Sequence, residues 1–158
     1  MKLKIEYVDI DSIKPYKNNP RINDMAVDKV ANSIKEFGFK VPVIVDSGGV
    51  LITGHTRIKA AKKLGMKEVP TIKADDLTPE QVKAFRLADN KVSELAEWNF
   101  EMLDQELDDL LNMDIDMGEF GFDNLEEEIQ SNNYEMQDLK ENKIQFHKCP
   151  ECGCEFED

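Results

Sequence analysis

The sequence predicts an α/β (α+β) domain, a small mixed sheet with packed helices, followed by an acidic C-terminal helical extension. Three observations carry that prediction. Short β-branched runs alternate with segments of helical period. Proline-, asparagine- and glycine-rich turns separate them. Charge also divides along the chain: residues 1–73 hold 14 Lys and Arg against 8 Asp and Glu, residues 74–158 hold 6 against 25, and the 158 residues sum to −13. A chain of this length buries one modest core with an appendage rather than two independent domains.

The elements follow in order. Leu3 to Tyr7 alternates like a strand, and IKPYKNNPRIN, with two prolines, is an irregular loop. Asn23 or Asp24 is placed to cap a helix whose Val27, Val30, Ala31, Ile34 and Phe37 share a face, with Gly38 ending it. Val41 to Val45 and Val50 to Ile52 form a hairpin around Ser47-Gly48-Gly49. The hairpin leads into LITGHTRIKAAKKLG, where a strand stops at Gly54 and a basic helix begins, with Ile58, Ala61 and Leu64 on one side. Val69 to Ala74 is a further strand. Thr78-Pro79-Glu80-Gln81 opens a helix with a capping box and proline at its first position, and Val82, Phe85, Ala88, Val92 and Leu95 form its apolar face. Asn99 caps a helix through Leu103, Leu107, Leu110 and Leu111. Asp123 caps a last short one through Leu125 and Ile129. The predicted organisation is a domain over 1–98, an acidic helical extension over 99–130, a linker over 131–145 and a tail over 146–158.

The chemistry concentrates at the Gly54 turn. A helix start leaves backbone N–H groups without intrahelical partners, and here Thr56, Arg57 and His55 stand beside them, which suits an anion. The opposing reading is an ordinary strand-turn-helix with a solvated basic face. The basic front half is suited to phosphates, whereas the acidic back half repels a nucleic-acid backbone unless it faces away or meets a basic partner. No apolar stretch is long enough to cross a bilayer, MKLKIEYVDID lacks the apolar segment of a signal peptide, and the three cysteines all fall in the last ten residues. The expected location is cytoplasmic, with no membrane partner.

The order of these motifs, through GFKVPVIVD, ITGHTRIKAAKKLG, VPTI and RLADNKVSELAEWN, resembles the ParB/sulfiredoxin-like N-terminal domain over about the first hundred residues. It is most similar to ParB-like modules of phages and mobile elements, often fused ahead of a DNA methyltransferase. Those modules also tend to continue into an acidic helix and a segment like DMGEFGFD, extending the likeness to about Ile129. The resemblance implies nucleotide binding, CTP or ATP with Mg²⁺. The family's GERRxRA phosphate motif reads GHTRIKA here, keeping Gly54, Arg57 and the basic Lys59, with His55 in place of Glu and Thr56 in place of Arg. The family's ENxQR motif is matched by Asp89 and Asn90, the implied Mg²⁺ ligands, with Val92 and Ser93 replacing Gln and Arg. Asn18, Pro20 and Arg21 match its NPR-like loop, making Arg21 a further phosphate donor.

Relatives in the superfamily include enzymes. Sulfiredoxin chemistry requires a cysteine where this chain has His55. Serine-type kinases carry a turn similar to TGHTR, and a phosphoryl transfer needs a base, for which His55 and Asp89 are the candidates. The chain has no D/N-P-P-Y/F motif and so does not transfer methyl groups itself. It also lacks the carboxylate–lysine cluster of a metal-assisted nuclease. In the tail, Cys149-Pro150-Glu151-Cys152-Gly153 has zinc-knuckle spacing, and Cys154 with His147, a second chain or a downstream segment are the candidates to complete four ligands; the opposing reading is a flexible reduced tail. The expected function is a nucleotide-binding module in DNA modification or maintenance, accessory to a methyltransferase. The alternatives are an ATP-dependent small-molecule kinase and a non-catalytic acidic adaptor. Candidate partners are a nucleotide, DNA, a methyltransferase or other protein, and a second copy in a homodimer.

Overall fold

The computed structural model describes residues 3–123, 146–148 and 155–157. The chain divides into two compact units, residues 1–121 and 122–158. In the first unit, β1 (Ile5–Asp9), α1 (Val27–Phe37), β2 (Val43–Asp46), β3 (Leu51–Thr53), α2 (His55–Lys63), β4 (Glu68–Ala74), α3 (Pro79–Ser93) and α4 (Phe100–Leu111) follow one another. The sheet order is β1-β4-β2-β3. β4 is antiparallel to β1 and parallel to β2, and β2 is antiparallel to β3, which makes the sheet mixed. A parallel pair needs a crossover connection, and α2 supplies it.

Strand limits are set by pairing rather than by local alternation. β1 runs two residues later than predicted because its register continues to Asp9 opposite Glu68, after which Ile10 N–H bonds Lys67 O. Leu3 is left outside and exposed. β2 begins at Val43, not Val41, because the carbonyls of Val41 and Pro42 are taken by the Arg57 guanidinium. The hairpin turn is as expected: Asp46 Oδ1 accepts the N–H groups of Gly48 and Val50, and Gly49 adopts φ 75°.

The core gathers Val43, Val45, Leu51, Ile58, Ala61 and Val69 with Ile10 and Ile13. α1 packs on α2, and the buried side chains these helices bring together include the small Ala31, Ala60 and Ala61. Gly38 ends α1 with a positive φ and donates to Ile34 O, as the sequence predicts. Neither Asn23 nor Asp24 caps α1 through its side chain; both are bound instead to Lys59.

The phase of two helices differs from the sequence reading. Leu64 lies past the last turn of α2 and is exposed. On α3 the predicted capping box is present and Val82 is buried, but Ala88 and Val92 are exposed, as is Leu95 beyond the helix end. The face of α3 turned inward continues from Val82 and Phe85 through Arg86, Asp89 and Asn90, all partly buried. The period was readable, but the second half of that face is polar. Asn99 caps α4 by accepting from Met102 N–H, and Leu103 is buried. A 3₁₀ turn at Gly118–Phe120 returns to α1, with Phe120 5.3 Å from Phe37 between ring centroids and Lys29 Nζ donating to Gly118 O. The helix expected after Asp123 falls outside the described residues. In the second unit β5 (Phe146–Lys148) pairs antiparallel with β6 (Glu155–Glu157).

Candidate functional site

A cavity of about 730 Å³ opens at the start of α2. Its walls come from five segments: the loop of Asn19 and Arg21, the inner side of α1 with Val30 and Ile34, the α1–β2 loop from Gly38 to Val41, the β3–α2 turn from Thr53 to Arg57, and the α3 face with Asp89 and Asn90. Gly54 makes the turn, with φ 100°. A Cβ placed there would lie 2.7 Å from Val43 Cγ1, so the site needs glycine for both conformation and space. Ile58 N–H donates the first intrahelical bond, to Gly54 O, and the N–H groups of His55, Thr56 and Arg57 precede it. Gly54, the residue in the cap position, has no side chain to satisfy them. These are the donors that favour an anion at a helix start.

The side chains around that start are unevenly committed. His55 Nε2 is buried and has no hydrogen-bond partner among the described residues. Burial lowers the His55 pKa, and the charges of Arg86 and Lys59 lower it further, so the ring is neutral near pH 7. Arg57 Nη1 donates to Val41 O at 2.6 Å and Pro42 O at 2.7 Å. Its remaining donors have no partner among the described residues and stay on the cavity wall. Burial lowers its pKa and the nearby Asp89 carboxylate opposes that shift.

Asp89 Oδ2 accepts from Thr53 Oγ1 at 2.7 Å. Asn90 is occupied at both ends, Oδ1 by Arg21 Nη1 at 2.9 Å and Nδ2 by Arg86 O at 2.7 Å. For Mg²⁺, a hard cation that takes oxygen ligands and keeps most of its waters, the second Asp89 oxygen fits. The Asn90 oxygen, held by a guanidinium, does not fit as placed.

Gly54, His55, Thr56, Arg57, Arg21, Asp89 and Asn90 therefore line one cavity. Lys59 does not line it. Its Nζ is held by Asp24 Oδ1 at 2.6 Å and Asn23 Oδ1 at 3.0 Å. Lys62 and Lys63 are likewise paired, with Asp11 and Asp28. The basic face of α2 is thus largely neutralised by aspartates of the same half of the chain. Cys149, Cys152 and Cys154 lie outside the described residues, and His147 is paired with Phe156 in the β5–β6 ladder.

Arg86, Tyr16 and Thr53 escaped the sequence reading. Arg86 and Asp89 stand three apart on the same helix face, a spacing visible in the sequence only once that face is allowed to be polar.

The ParB N-terminal domain model matches residues 2–91, more than half of the chain. The chain belongs to the ParB N-terminal domain family. The ParB-like nuclease domain-containing protein YnaK of Escherichia coli is 42% identical over 81 residues, spanning 51% of this chain and 93% of that protein. The probable chromosome-partitioning protein ParB of Campylobacter jejuni is 39% identical over 94 residues, spanning 56% of this chain but 30% of that protein. Among solved structures, a C-terminally truncated ParB from Caulobacter crescentus complexed with CTP-gamma-S shares the fold at a TM-score of 0.59 and 22% identity, covering 68% of this chain and 63% of that one. This ParB-like domain thus spans much of some relatives and under a third of another. No described helix is long and apolar enough to cross a membrane.

Proposed function

We propose that this ParB-like domain binds a nucleoside triphosphate, CTP or ATP, with its phosphates at the start of α2. In this reading Gly54, His55, Thr56 and Arg57 meet the phosphates, Arg21 is a further donor to them, and Asp89 holds Mg²⁺, which would neutralise phosphate charge when bound. The observation that carries the reading is a helix start whose N–H groups Gly54 has no side chain to cap, on the wall of a cavity of about 730 Å³ that His55, Thr56 and Arg57 also line. The nucleotide complex of the Caulobacter ParB supports it by fold alone. The biological setting, DNA modification or maintenance in a phage or mobile element as accessory to a DNA methyltransferase, rests on the sequence resemblance.

Isothermal titration of CTP, ATP and GTP with Mg²⁺ tests the proposal. Saturable binding of one of them, weakened in Thr56→Ala and Arg57→Ala proteins that keep wild-type circular dichroism, is the expected result. A wild type that binds none of the three sinks it and leaves the acidic adaptor.

A kinase is the second reading, because a neutral imidazole, whose Nε2 has no partner among the described residues, lines the same cavity as Asp89 and suits a base for a hydroxyl group. Incubation with ATP and free serine, followed by product analysis, decides it; background hydrolysis alone ends the idea.

For the tail, the proposal is Zn²⁺ held by Cys149, Cys152, Cys154 and His147, or by the cysteines of two chains. Its support is the cysteine spacing. Metal analysis of protein purified without chelator should find one zinc per chain, or one per two chains in a homodimer, and none after Cys149→Ser with Cys152→Ser.

A further inference from the structure

Arg86 sits one turn before Asp89 on α3 and joins three segments at a single guanidinium. Its Nε donates to Leu51 O of β3 at 3.2 Å, and its Nη2 lies 3.3 Å from Asp46 Oδ2 in the hairpin. Its Cζ stands 4.0 Å from the centroid of the Tyr16 ring, in the loop that goes on to Arg21. The Arg86 side chain is 11% exposed and that of Asp46 is 21% exposed, so this pairing is shielded from water. Asp46 is itself fixed, since its other oxygen accepts two turn N–H groups.

The next turn of α3 repeats the attachment. Asp89 accepts from Thr53, two residues beyond Leu51, and Asn90 Nδ2 returns to Arg86 O while its Oδ1 receives Arg21. Three helical residues advance about 4.5 Å and two strand residues about 6.6 Å, so both contacts progress in one direction along β3. Two such points fix the helix in translation and rotation.

We infer that Arg86 is a positioning residue. It sets α3 against β3 so that Asp89 and Asn90 face the cavity, and through Tyr16 it sets the loop that carries Arg21. Its effect on ligand rests on the nucleotide-binding reading. Lysine is no substitute, because a compact ammonium lacks the planar group that reaches a carbonyl and a carboxylate while stacking on a ring.

The test compares Arg86→Ala, Arg86→Lys and Asp89→Asn in the full chain by residue-resolved hydrogen exchange and by titration with Mg²⁺ and CTP or ATP. Amides of residues 89–93 should exchange about tenfold faster in both Arg86 variants while those of β2 and β4 keep wild-type rates. Affinity should fall about tenfold, and Arg86→Ala combined with Asp89→Asn should lose no more than the worse single variant, because the two act as a unit. Unchanged exchange in α3, uniform acceleration across the domain, additive affinity losses or full rescue by lysine would each overturn the inference. A wild type that binds neither nucleotide removes the nucleotide reading, and the exchange comparison still decides the positioning role. Should Arg86→Ala fail to fold, Tyr16→Leu removes one of the three contacts, and local loosening of residues 16–22 is the expected result, with no loosening counting against the inference.

Discussion

Thr53, the last residue of β3, donates a 2.7 Å hydrogen bond to Asp89 in the middle of α3, one residue before the Gly54 turn. The strand, the helix and the cavity are coupled at this point. A hydrogen bond to a charged acceptor contributes about 1.5–3 kcal/mol when partly buried. Thr53→Val keeps the shape and removes the donor. Urea unfolding should show a loss of about 1–3 kcal/mol, and an Asp89→Asn background should make the loss smaller, because the charged acceptor is already gone.

Gly54→Ala meets two obstacles. The left-handed φ of 100° disfavours any side chain, and the added Cβ would lie 2.7 Å from a methyl of the fully buried Val43. A left-handed non-glycine residue costs roughly 1–2 kcal/mol, and overpacking typically adds about 1–3 kcal/mol. The variant should lose about 2–5 kcal/mol by denaturant unfolding. Gly65→Ala is the control: φ is 71° there, but nothing lies within 4 Å of the new Cβ, so only the conformational part should be lost.

The sequence carried much of this site because its local signals were strong. Glycine at a strand-helix turn, an uncapped helix start and the Thr78 capping box are each written within a few residues, and each took its expected place. What the sequence did not carry are choices made by distant partners. The start of β2 depends on Arg57 claiming two carbonyls fifteen and sixteen residues upstream. The fate of Lys59, Lys62 and Lys63 depends on aspartates 35 to 51 residues away. Val92 and, past the end of α3, Leu95 extended an apolar pattern off the inward face, because the inward positions beyond Phe85 are polar: Arg86 bonds Leu51 O and Asp46, and Asp89 and Asn90 line the cavity.

His55 gives a pH dependence with a definite sign. Its pKa in the folded protein is lowered, chiefly by burial, so the unfolded chain binds the proton more readily. The contribution is complete above the unfolded histidine value of about 6.5 and is lost as pH falls toward the lower folded value. Stability measured by urea unfolding should therefore decline from pH 7.5 to pH 5.5, before most carboxylates titrate. His55→Gln should flatten that decline, and an unflattened profile would assign the effect to another group.

The three lysines of α2 permit a direct test of DNA contact. Lys59, Lys62 and Lys63 each face one aspartate, Asp24, Asp11 and Asp28, in solvent-exposed pairs. Such pairs contribute little to stability, on the order of 0–1 kcal/mol each, but each aspartate repels a phosphate that would approach its lysine. Replacing all three aspartates by asparagine should leave the fold intact and expose the basic face of α2. If this face meets DNA, duplex affinity measured by fluorescence anisotropy should rise, and its dependence on salt should steepen by about 0.9 in log–log slope for each phosphate newly engaged. Unchanged affinity and slope in a folded triple variant would show that α2 does not present its lysines to DNA, and would leave nucleotide binding at the other end of the helix untouched.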